Sequence, residues 1–226
     1  MREQFDTRPP KPVGEMTPGL IHGLDPGRVR SNLERVREKA GEGVELLAAT
    51  KYVPSEEMGA LAEAGIELVG ENRLQDLEQK RERWADAFQW DFIGNLQSRK
   101  VKSLLPICRL IHSVASDSVL KQLRRHADPA TEVLVEVNVA GEQGKGGIPP
   151  ANLPEFIERC PVRVAGLMTM PPFSQDPEAS RPHFARLAEL ATAHGLTRLS
   201  MGTSQDWEVA VQEGATIVRL GTALYG

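Results

Sequence analysis

Apolar positions recur along the chain with two spacings, one typical of buried strands and one of helices. Eight short apolar runs have the length of strands buried on both faces of a parallel sheet. They cover residues 45–50, 67–70, 90–94, 110–114, 132–139, 163–168, 198–201 and 216–220. Other stretches place an apolar residue at every third or fourth position among charges, which indicates amphipathic helices. These helices are predicted at 26–40, 55–64, 74–84, 99–105, 117–127, 152–160, 178–194 and 206–213.

The order of these elements predicts the fold. Gly65, Gly195 and Gly214 follow three of the predicted helices, where a glycine commonly ends a helix. About eight successive βα units, each short enough for a right-handed crossover, favour an α/β fold with a single-domain parallel (β/α)8 barrel of the TIM type. A doubly wound open sheet is the main alternative, but eight strands of similar length favour closure.

The first 25 residues do not share this pattern. They are rich in proline, glycine and charge and carry no apolar period. We therefore predict a flexible N-terminal arm at 1–25 and one barrel domain at 26–226. A chain of 226 residues is long enough to bury a sizeable core.

Composition and charge argue against several classes of function. The net charge is −4 and no basic stripe occurs, so a nucleic-acid partner is not expected. No apolar run approaches the length of a membrane span, and the first residues lack a signal-peptide pattern. Cys108 and Cys160 are too few for a disulfide framework or a zinc site. Together, these observations predict a protein of the reducing cytoplasm without a membrane partner.

The first predicted strand ends on a lysine, Lys51. Parallel strands place their carboxyl ends on one rim, where barrels and open α/β sheets keep their functional sites. A lysine half-sheltered at that rim would favour the neutral amine, which can attack an aldehyde. Taken alone, however, a lysine at a strand end is more often simply solvated.

Two loops after the last strands have the composition of a phosphate site. Residues 200–204, Ser-Met-Gly-Thr-Ser, lead from the seventh strand into a helix, and residues 221–222, Gly-Thr, follow the eighth. Barrels often bind phosphate between these two loops, through backbone N–H groups and hydroxyls. Each string alone is more often a capped turn. Arg219 would point inward beside them, either to donate to a ligand nitrogen or to pair with an acid.

A lysine, a phosphate site and an arginine together suggest pyridoxal 5′-phosphate (PLP), whose aldehyde, phosphate and ring nitrogen each require one of them. An ordered set of motifs then resembles the pyridoxal phosphate homeostasis protein family. The motifs are LAATK at 47–51, GEN at 70–72, FIGNLQ at 92–97, GLM at 166–168, LSMGTS at 199–204 and VRLGTA at 218–223. The resemblance covers residue 28 to the C-terminus and implies a fold like the N-terminal domain of alanine racemase.

The same resemblance implies roles for individual residues. Lys51 would form the internal aldimine (Schiff base) with PLP, Arg219 would lie by the pyridine nitrogen and Asn72 near the ring. Met168, which falls within a matching motif, is also predicted to bind the cofactor. The phosphate would be surrounded by Ser200, Gly202, Thr203, Ser204, Gly221 and Thr222. Lys145, in a glycine-rich loop, matches a family lysine near the cofactor and is a candidate for cofactor exchange, although such loop lysines are usually solvated.

Three functions follow as alternatives. The first is a carrier that holds PLP and passes it to apo-PLP enzymes, and the second is a small racemase-like PLP enzyme. The third, a metal or sugar-phosphate barrel enzyme, lacks a cluster of residues with ligand spacing. Arg219 cannot protonate the ring nitrogen, and the chain ends at Gly226 without the second domain from which racemases take a base. We therefore expect a carrier with little or no turnover, acting as a monomer or weak dimer.

Overall fold

The computed structural model describes residues 19–226, in which eight parallel strands form a closed barrel in sequence order. β1 pairs with both β2 and β8, which closes the sheet. The strands are β1 Glu45–Ala49, β2 Leu68–Glu71, β3 Gln89–Phe92, β4 Leu110–Val114, β5 Glu132–Glu136, β6 Arg163–Met168, β7 Arg198–Thr203 and β8 Ile217–Leu220. The predicted (β/α)8 fold is confirmed, and the open sheet is wrong.

Helices cover the outside of this barrel. They are α1 Pro26–Ala40, α2 Met58–Glu63, α3 Leu74–Trp84, α4 Val101–Leu104, α5 Asp117–His126, α6 Leu153–Arg159, α7 Arg181–Ala193, α8 Trp207–Gln212 and α9 Thr222–Tyr225. Short 3-10 turns precede α2, α4, α6 and α7, so these α-helices begin later than the sequence predicts. α9 was not predicted, because four residues are too few to show a helical period.

Alternation along the strands divides the apolar residues into two layers. Residues such as Ala48, Val69 and Val218 point outward and pack against the helices. Side chains on the opposite parity fill the barrel interior, among them Leu47, Leu110 and Ile217. The same inward parity applies to four polar residues, Asp91, His112, Ser200 and Arg219, all of which are buried. The interior is therefore partly apolar and partly a polar network.

The chain before α1 is held by specific contacts from residue 21 onward. Ile21 N–H donates to the Tyr52 carbonyl at 2.8 Å. The Glu57 carboxylate accepts from Gly23 and Leu24 N–H at 2.8 and 3.0 Å. Asp25 caps α1 by accepting from Arg28 N–H at 2.7 Å. Residues 1–18 lie outside the described residues, so the flexible arm and its boundary with the barrel domain stay predictions.

The last residues of the chain close the outside of the barrel against α1. The Asn32 amide donates to the carbonyls of Leu224 and Gly226 at 3.0 and 3.1 Å. Within residues 19–226, no helix has the length and apolar character needed to cross a bilayer. Over the same range, no group of three or more His, Cys, Asp or Glu residues is arranged to hold a metal ion.

Candidate functional site

A cleft of about 380 Å³ opens at the carboxyl end of the barrel strands. Its walls come from the ends of β1, β7 and β8, from segments that follow β1, β2, β3, β6, β7 and β8, and from Ile21 before α1. So many separate segments meet here because parallel strands place their carboxyl ends around one site. The lining residues are Ile21, Ala49, Lys51, Tyr52, Asn72, Ile93, Met170, Phe173, Thr203, Ser204, Gln205, Arg219, Gly221, Thr222 and Tyr225.

Lys51 lies two residues beyond β1 and lines this cleft. Its side chain is exposed, so the partial burial that we expected is wrong. Its ammonium lies 4.7 Å from the centroid of the Tyr52 ring, within the range of a cation–π contact. The amine is therefore accessible from the cleft and rests against an aromatic face.

The backbone that carries Lys51 is fixed by a buried ion pair behind it. Lys80, on α3, pairs with Glu71 at the end of β2, and both are at most 5% exposed. The Lys80 ammonium also donates to the Thr50 carbonyl at 2.7 Å, and the Thr50 hydroxyl donates to Glu71 at 2.6 Å. Removing one partner of such a pair leaves a buried charge uncompensated, which costs about 3–5 kcal/mol.

Lys80 was not predicted from the sequence, although a signal for it was present. Leu74, Leu77 and Lys80 are the buried residues of α3 and recur at the spacing of one helical face. A lysine at an apolar position of a helix is rarely buried without a partner. That position therefore indicates a buried pair, but it does not identify Glu71 as the partner.

Arg219, on β8, is 4% exposed and is one of the residues that line the cleft. It donates to Ser200 Oγ at 2.6 Å and to the Thr169 carbonyl at 2.9 Å. Burial lowers the pKa of Arg219 to about 10, while the negative charges of Asp206 and Glu136 act in the opposite direction. Arg219 therefore remains a cation near neutral pH. Its hydrogen-bond partners are a hydroxyl and a carbonyl, not the acidic neighbour considered from the sequence.

The loops after β7 and β8 are joined at the cleft. Ser204 Oγ accepts from the N–H groups of Gly221 and Ala223 at 2.9 and 3.1 Å. Asp206 accepts from Thr203 N–H at 2.7 Å and from the Thr203 hydroxyl at 3.1 Å. One wall of the cleft is therefore rich in N–H and hydroxyl groups, which belong to Thr203, Ser204, Gly221 and Thr222.

Gly202 shapes this wall without lining it. Its φ is +87°, a conformation that glycine adopts at little cost. A Cβ at this position would lie 2.5 Å from the Ala210 Cβ, so β7 passes too close to α8 for any side chain. The glycine lets the chain turn tightly from β7 toward α8.

Other residues singled out in the sequence lie away from the cleft surface. Met168 packs within the barrel interior, and Ser200 is buried beneath Arg219. Lys145 forms an ion pair with Glu142 at 2.5 Å and does not line the cleft. His112, which lies within the predicted strand 110–114, is fully buried inside the barrel. His112 lies two residues after Leu110 on β4, so the two side chains point to the same face of the strand. This alternation could have indicated that His112 points into the barrel.

Asn72 leaves one polar atom without a partner. Its side-chain Oδ1 is buried and accepts no hydrogen bond among the residues that the structure describes, although Asn72 lines the cleft. A buried amide oxygen without a donor costs about 1–3 kcal/mol, and in native proteins such atoms are rare. An orphaned acceptor in a cleft wall is expected where a ligand supplies the missing donor.

Comparisons with known proteins agree with this geometry. Residues 24–226 match the family model "Alanine racemase, N-terminal domain". A pyridoxal phosphate homeostasis protein of Aquifex aeolicus is 42% identical over 216 residues, which covers 88% of this chain and 95% of that protein. The corresponding protein of Pseudomonas aeruginosa is 36% identical and covers 88% and 92%.

A solved structure shows the same architecture. PipY of Synechococcus elongatus, described as having PLP bound, superposes with a TM-score of 0.77 at 31% identity, covering 88% of this chain and 100% of that one. The matched family model spans the whole barrel, and the curated relatives match over nearly their full length. The chain therefore belongs to the pyridoxal phosphate homeostasis protein family.

Proposed function

We propose that this protein binds pyridoxal 5′-phosphate in the cleft at the carboxyl end of the barrel, attaches it reversibly through Lys51 and serves as a cofactor carrier. The observation that carries the proposal is the meeting of three groups in one cleft. Lys51, Arg219 and the two loops after β7 and β8 come from distant parts of the chain and line the same cavity. PLP supplies an aldehyde that condenses reversibly with a primary amine.

The donors present fit the groups of this cofactor. The hydroxyl groups of Ser204 and Thr222 line the cleft and are suited to a phosphate, which accepts several hydrogen bonds. The N–H groups of Thr203 and Gly221 donate to Asp206 and Ser204 in this structure and would have to exchange these partners for the phosphate. Arg219 has only donors and is suited to an unprotonated ring nitrogen. The orphaned Asn72 Oδ1 offers an acceptor to the same ligand. We assign Met168, Ser200 and Gly202 to the support of these residues, because they lie behind the cleft surface.

The charge of Arg219 favours holding the cofactor over turning over amino acids. A cation that remains protonated at neutral pH disfavours a proton on the neighbouring ring nitrogen. An unprotonated ring withdraws electrons less strongly, which weakens stabilisation of a carbanion. Tyr225, a possible second base in the cleft wall, is kept protonated because burial raises its pKa and the charge of Glu71 acts in the same direction.

The first experiment tests binding and attachment. Purified protein is titrated with PLP, reduced with borohydride and digested, and the modified lysine is located by mass spectrometry. We expect an imine absorption band and a label on Lys51. Lys51→Ala should lose both while keeping its circular dichroism spectrum, whereas Lys145→Ala, a matched lysine outside the cleft, should keep them. A label on another lysine, or no band in the parent protein, would overturn the proposal.

A second experiment separates a carrier from an enzyme. The loaded protein is incubated with L-amino acids and assayed for D-isomers and for deamination, and in parallel with an apo-PLP enzyme whose recovered activity is measured. A carrier should restore the apoenzyme and give no steady turnover. Sustained racemisation would support the racemase-like alternative. The cytoplasmic location and a monomer or weak dimer remain predictions, and light scattering tests the latter.

A further inference from the structure

A row of buried polar side chains crosses the barrel interior beneath Arg219. Ser200 Oγ lies 2.9 Å from His112 Nδ1, and His112 Nε2 lies 3.0 Å from Asp91 Oδ2. With Arg219 donating to the same Ser200 oxygen, the row connects β8, β7, β4 and β3. We propose that His112 and Asp91 are positioning residues, which act through Ser200 to hold the Arg219 guanidinium toward the cleft. This inference rests on the proposed binding of PLP there.

The chemistry of the groups permits one direction of hydrogen bonding along the row. A guanidinium can only donate, so Ser200 Oγ accepts from Arg219. The serine hydroxyl is then the donor to His112 Nδ1, which must be unprotonated. His112 Nε2 carries the hydrogen and donates to the Asp91 carboxylate, which can only accept. Every donor has an acceptor in this arrangement, as expected of a buried polar network.

A protonated imidazole would break this order. It would donate from both nitrogens, and Ser200 Oγ would then face donors from Arg219 and His112 at once. The hydroxyl hydrogen of Ser200 would have no acceptor within the row. Burial lowers the pKa of His112, and the charges of Arg219 and Arg109 act in the same direction against the pull of Asp91. The neutral ring with hydrogen on Nε2 is the form consistent with the geometry.

The far end of the row is anchored at the opposite face of the barrel. Arg109 donates to Asp91 from Nε at 3.0 Å and from an Nη at 2.6 Å, a two-point contact. Burial alone would raise the pKa of Asp91, but hydrogen bonds from His112 and Arg109 outweigh it and the pKa is lowered. Asp91 is therefore a fixed carboxylate that orients the His112 ring.

The anchor at Asp91 matters because the Arg219 side chain is long and flexible. Besides Ser200, the Arg219 guanidinium contacts the Thr169 carbonyl at 2.9 Å and the Met170 sulfur at 3.8 Å. The first is one neutral acceptor and the second is a weak one. Without a correctly directed Ser200 oxygen, the guanidinium would lose the partner of one Nη group and with it a defined direction toward the ligand.

Two substitutions at one position separate the two halves of the row. In His112→Asn the amide oxygen replaces Nδ1 as acceptor from Ser200, while the contact with Asp91 is lost. In His112→Gln the longer amide reaches toward Asp91, while Ser200 loses its acceptor. We expect PLP dissociation constants within about threefold of the parent for His112→Asn and weaker by about tenfold or more for His112→Gln, the size of one hydrogen bond to a charged group. Equal constants for the two variants would overturn the inference.

A measurement on the ligand-free parent protein needs no variant. Nitrogen chemical shifts of His112 should show hydrogen on Nε2 and not on Nδ1, and the Arg219 Nη–H signals should be protected from exchange. The protection should persist in His112→Asn and be lost in His112→Gln. Hydrogen on Nδ1, or unprotected Arg219 signals in the parent, would overturn the inference. Failure of the parent to bind PLP would instead overturn the proposed function, and the nuclear magnetic resonance result would still decide the arrangement.

Discussion

The two ends of the barrel treat their polar residues in opposite ways. At the end where the strands begin, charged residues neutralise one another: Glu45 pairs with Arg109 and Arg198, and Glu132 pairs with Arg163. At the end where the strands finish, Arg219 has no acidic partner among residues 19–226, and Asn72 Oδ1 has no donor. One end is closed by ion pairs, and the other keeps hydrogen-bonding capacity for a ligand.

The two ends also differ in where their charges are paired. At the starting end the pairs are partly exposed, whereas at the finishing end the Lys80–Glu71 pair is buried behind the cleft. The paired residues of the starting end are the first residues of β1, β5, β6 and β7, together with the residue before β4, so each pair joins the starts of separate strands. Asn72 lies in the loop after β2, whereas Arg219 lies within β8, so the cleft takes its polar groups from a loop and from a strand. Breaking an exposed pair at the starting end should leave PLP binding unchanged, whereas changes behind or within the cleft should alter stability or binding.

The largest effect on stability is expected behind Lys51. Lys80→Met removes the ammonium that neutralises Glu71 and holds the Thr50 carbonyl. We expect the free energy of unfolding, measured with urea, to fall by about 3–5 kcal/mol. Adding Glu71→Gln should recover part of this loss because it removes the uncompensated charge. Lys39→Met, which breaks an exposed pair with Glu208, should cost no more than about 1 kcal/mol. Equal losses in the two single variants would contradict the assignment.

A pair of glycines in one βα unit compares the two ends directly. Gly195 precedes β7 with φ +65° and open space around its Cβ position, while Gly202 near the end of β7 has φ +87° and a contact of 2.5 Å. We expect Gly195→Ala to cost about 1–2 kcal/mol for the backbone alone. Gly202→Ala should cost about 1–3 kcal/mol more because it also overpacks against Ala210. Thermal unfolding measures both, and a smaller loss at Gly202 would show that the contact relaxes.

The buried histidine predicts how stability changes with pH. The pKa of His112 is lowered in the folded protein, whereas in the unfolded chain it is about 6.5. Between these two values the unfolded chain binds a proton that the folded protein does not, so stability falls as the pH is lowered. The slope from this residue is at most about 1.4 kcal/mol per pH unit. Between pH 7 and pH 5, the free energy of unfolding measured with urea should decrease more for the parent than for His112→Asn. Identical decreases would contradict a lowered pKa of His112 in the folded protein.

The smallest effect is expected at the outer edge of the closed end. Arg163→Ala removes one partner of Glu132, but the Arg163 side chain is 72% exposed. Exposed pairs contribute about 0–1 kcal/mol, and salt screens them. We expect a loss below 1 kcal/mol that vanishes in high salt, and an unchanged PLP dissociation constant. A clear change in PLP binding would show that the two ends are coupled through the barrel.

The sequence determined the elements and the general position of the candidate site. Apolar runs such as 110–114 and 163–168 form strands over the predicted residues because their burial requires backbone pairing. Lys51 and Arg219 reach one cleft because both lie near the carboxyl ends of parallel strands. These outcomes depend on local patterns and on a rule that holds for every parallel barrel.

Only the tertiary structure decided which residues meet across the chain. Closure through the pairing of β1 with β8, the partnership of Lys80 with Glu71 and the row from Arg219 to Asp91 all join residues that are separate in the sequence. β5 also ends at Glu136, not at the predicted residue 139. The loop that follows β5 folds back beside it, and Val137 forms only a single bridge with Ile148 of this loop. Such contacts depend on strand register and loop path, which local periodicity does not specify.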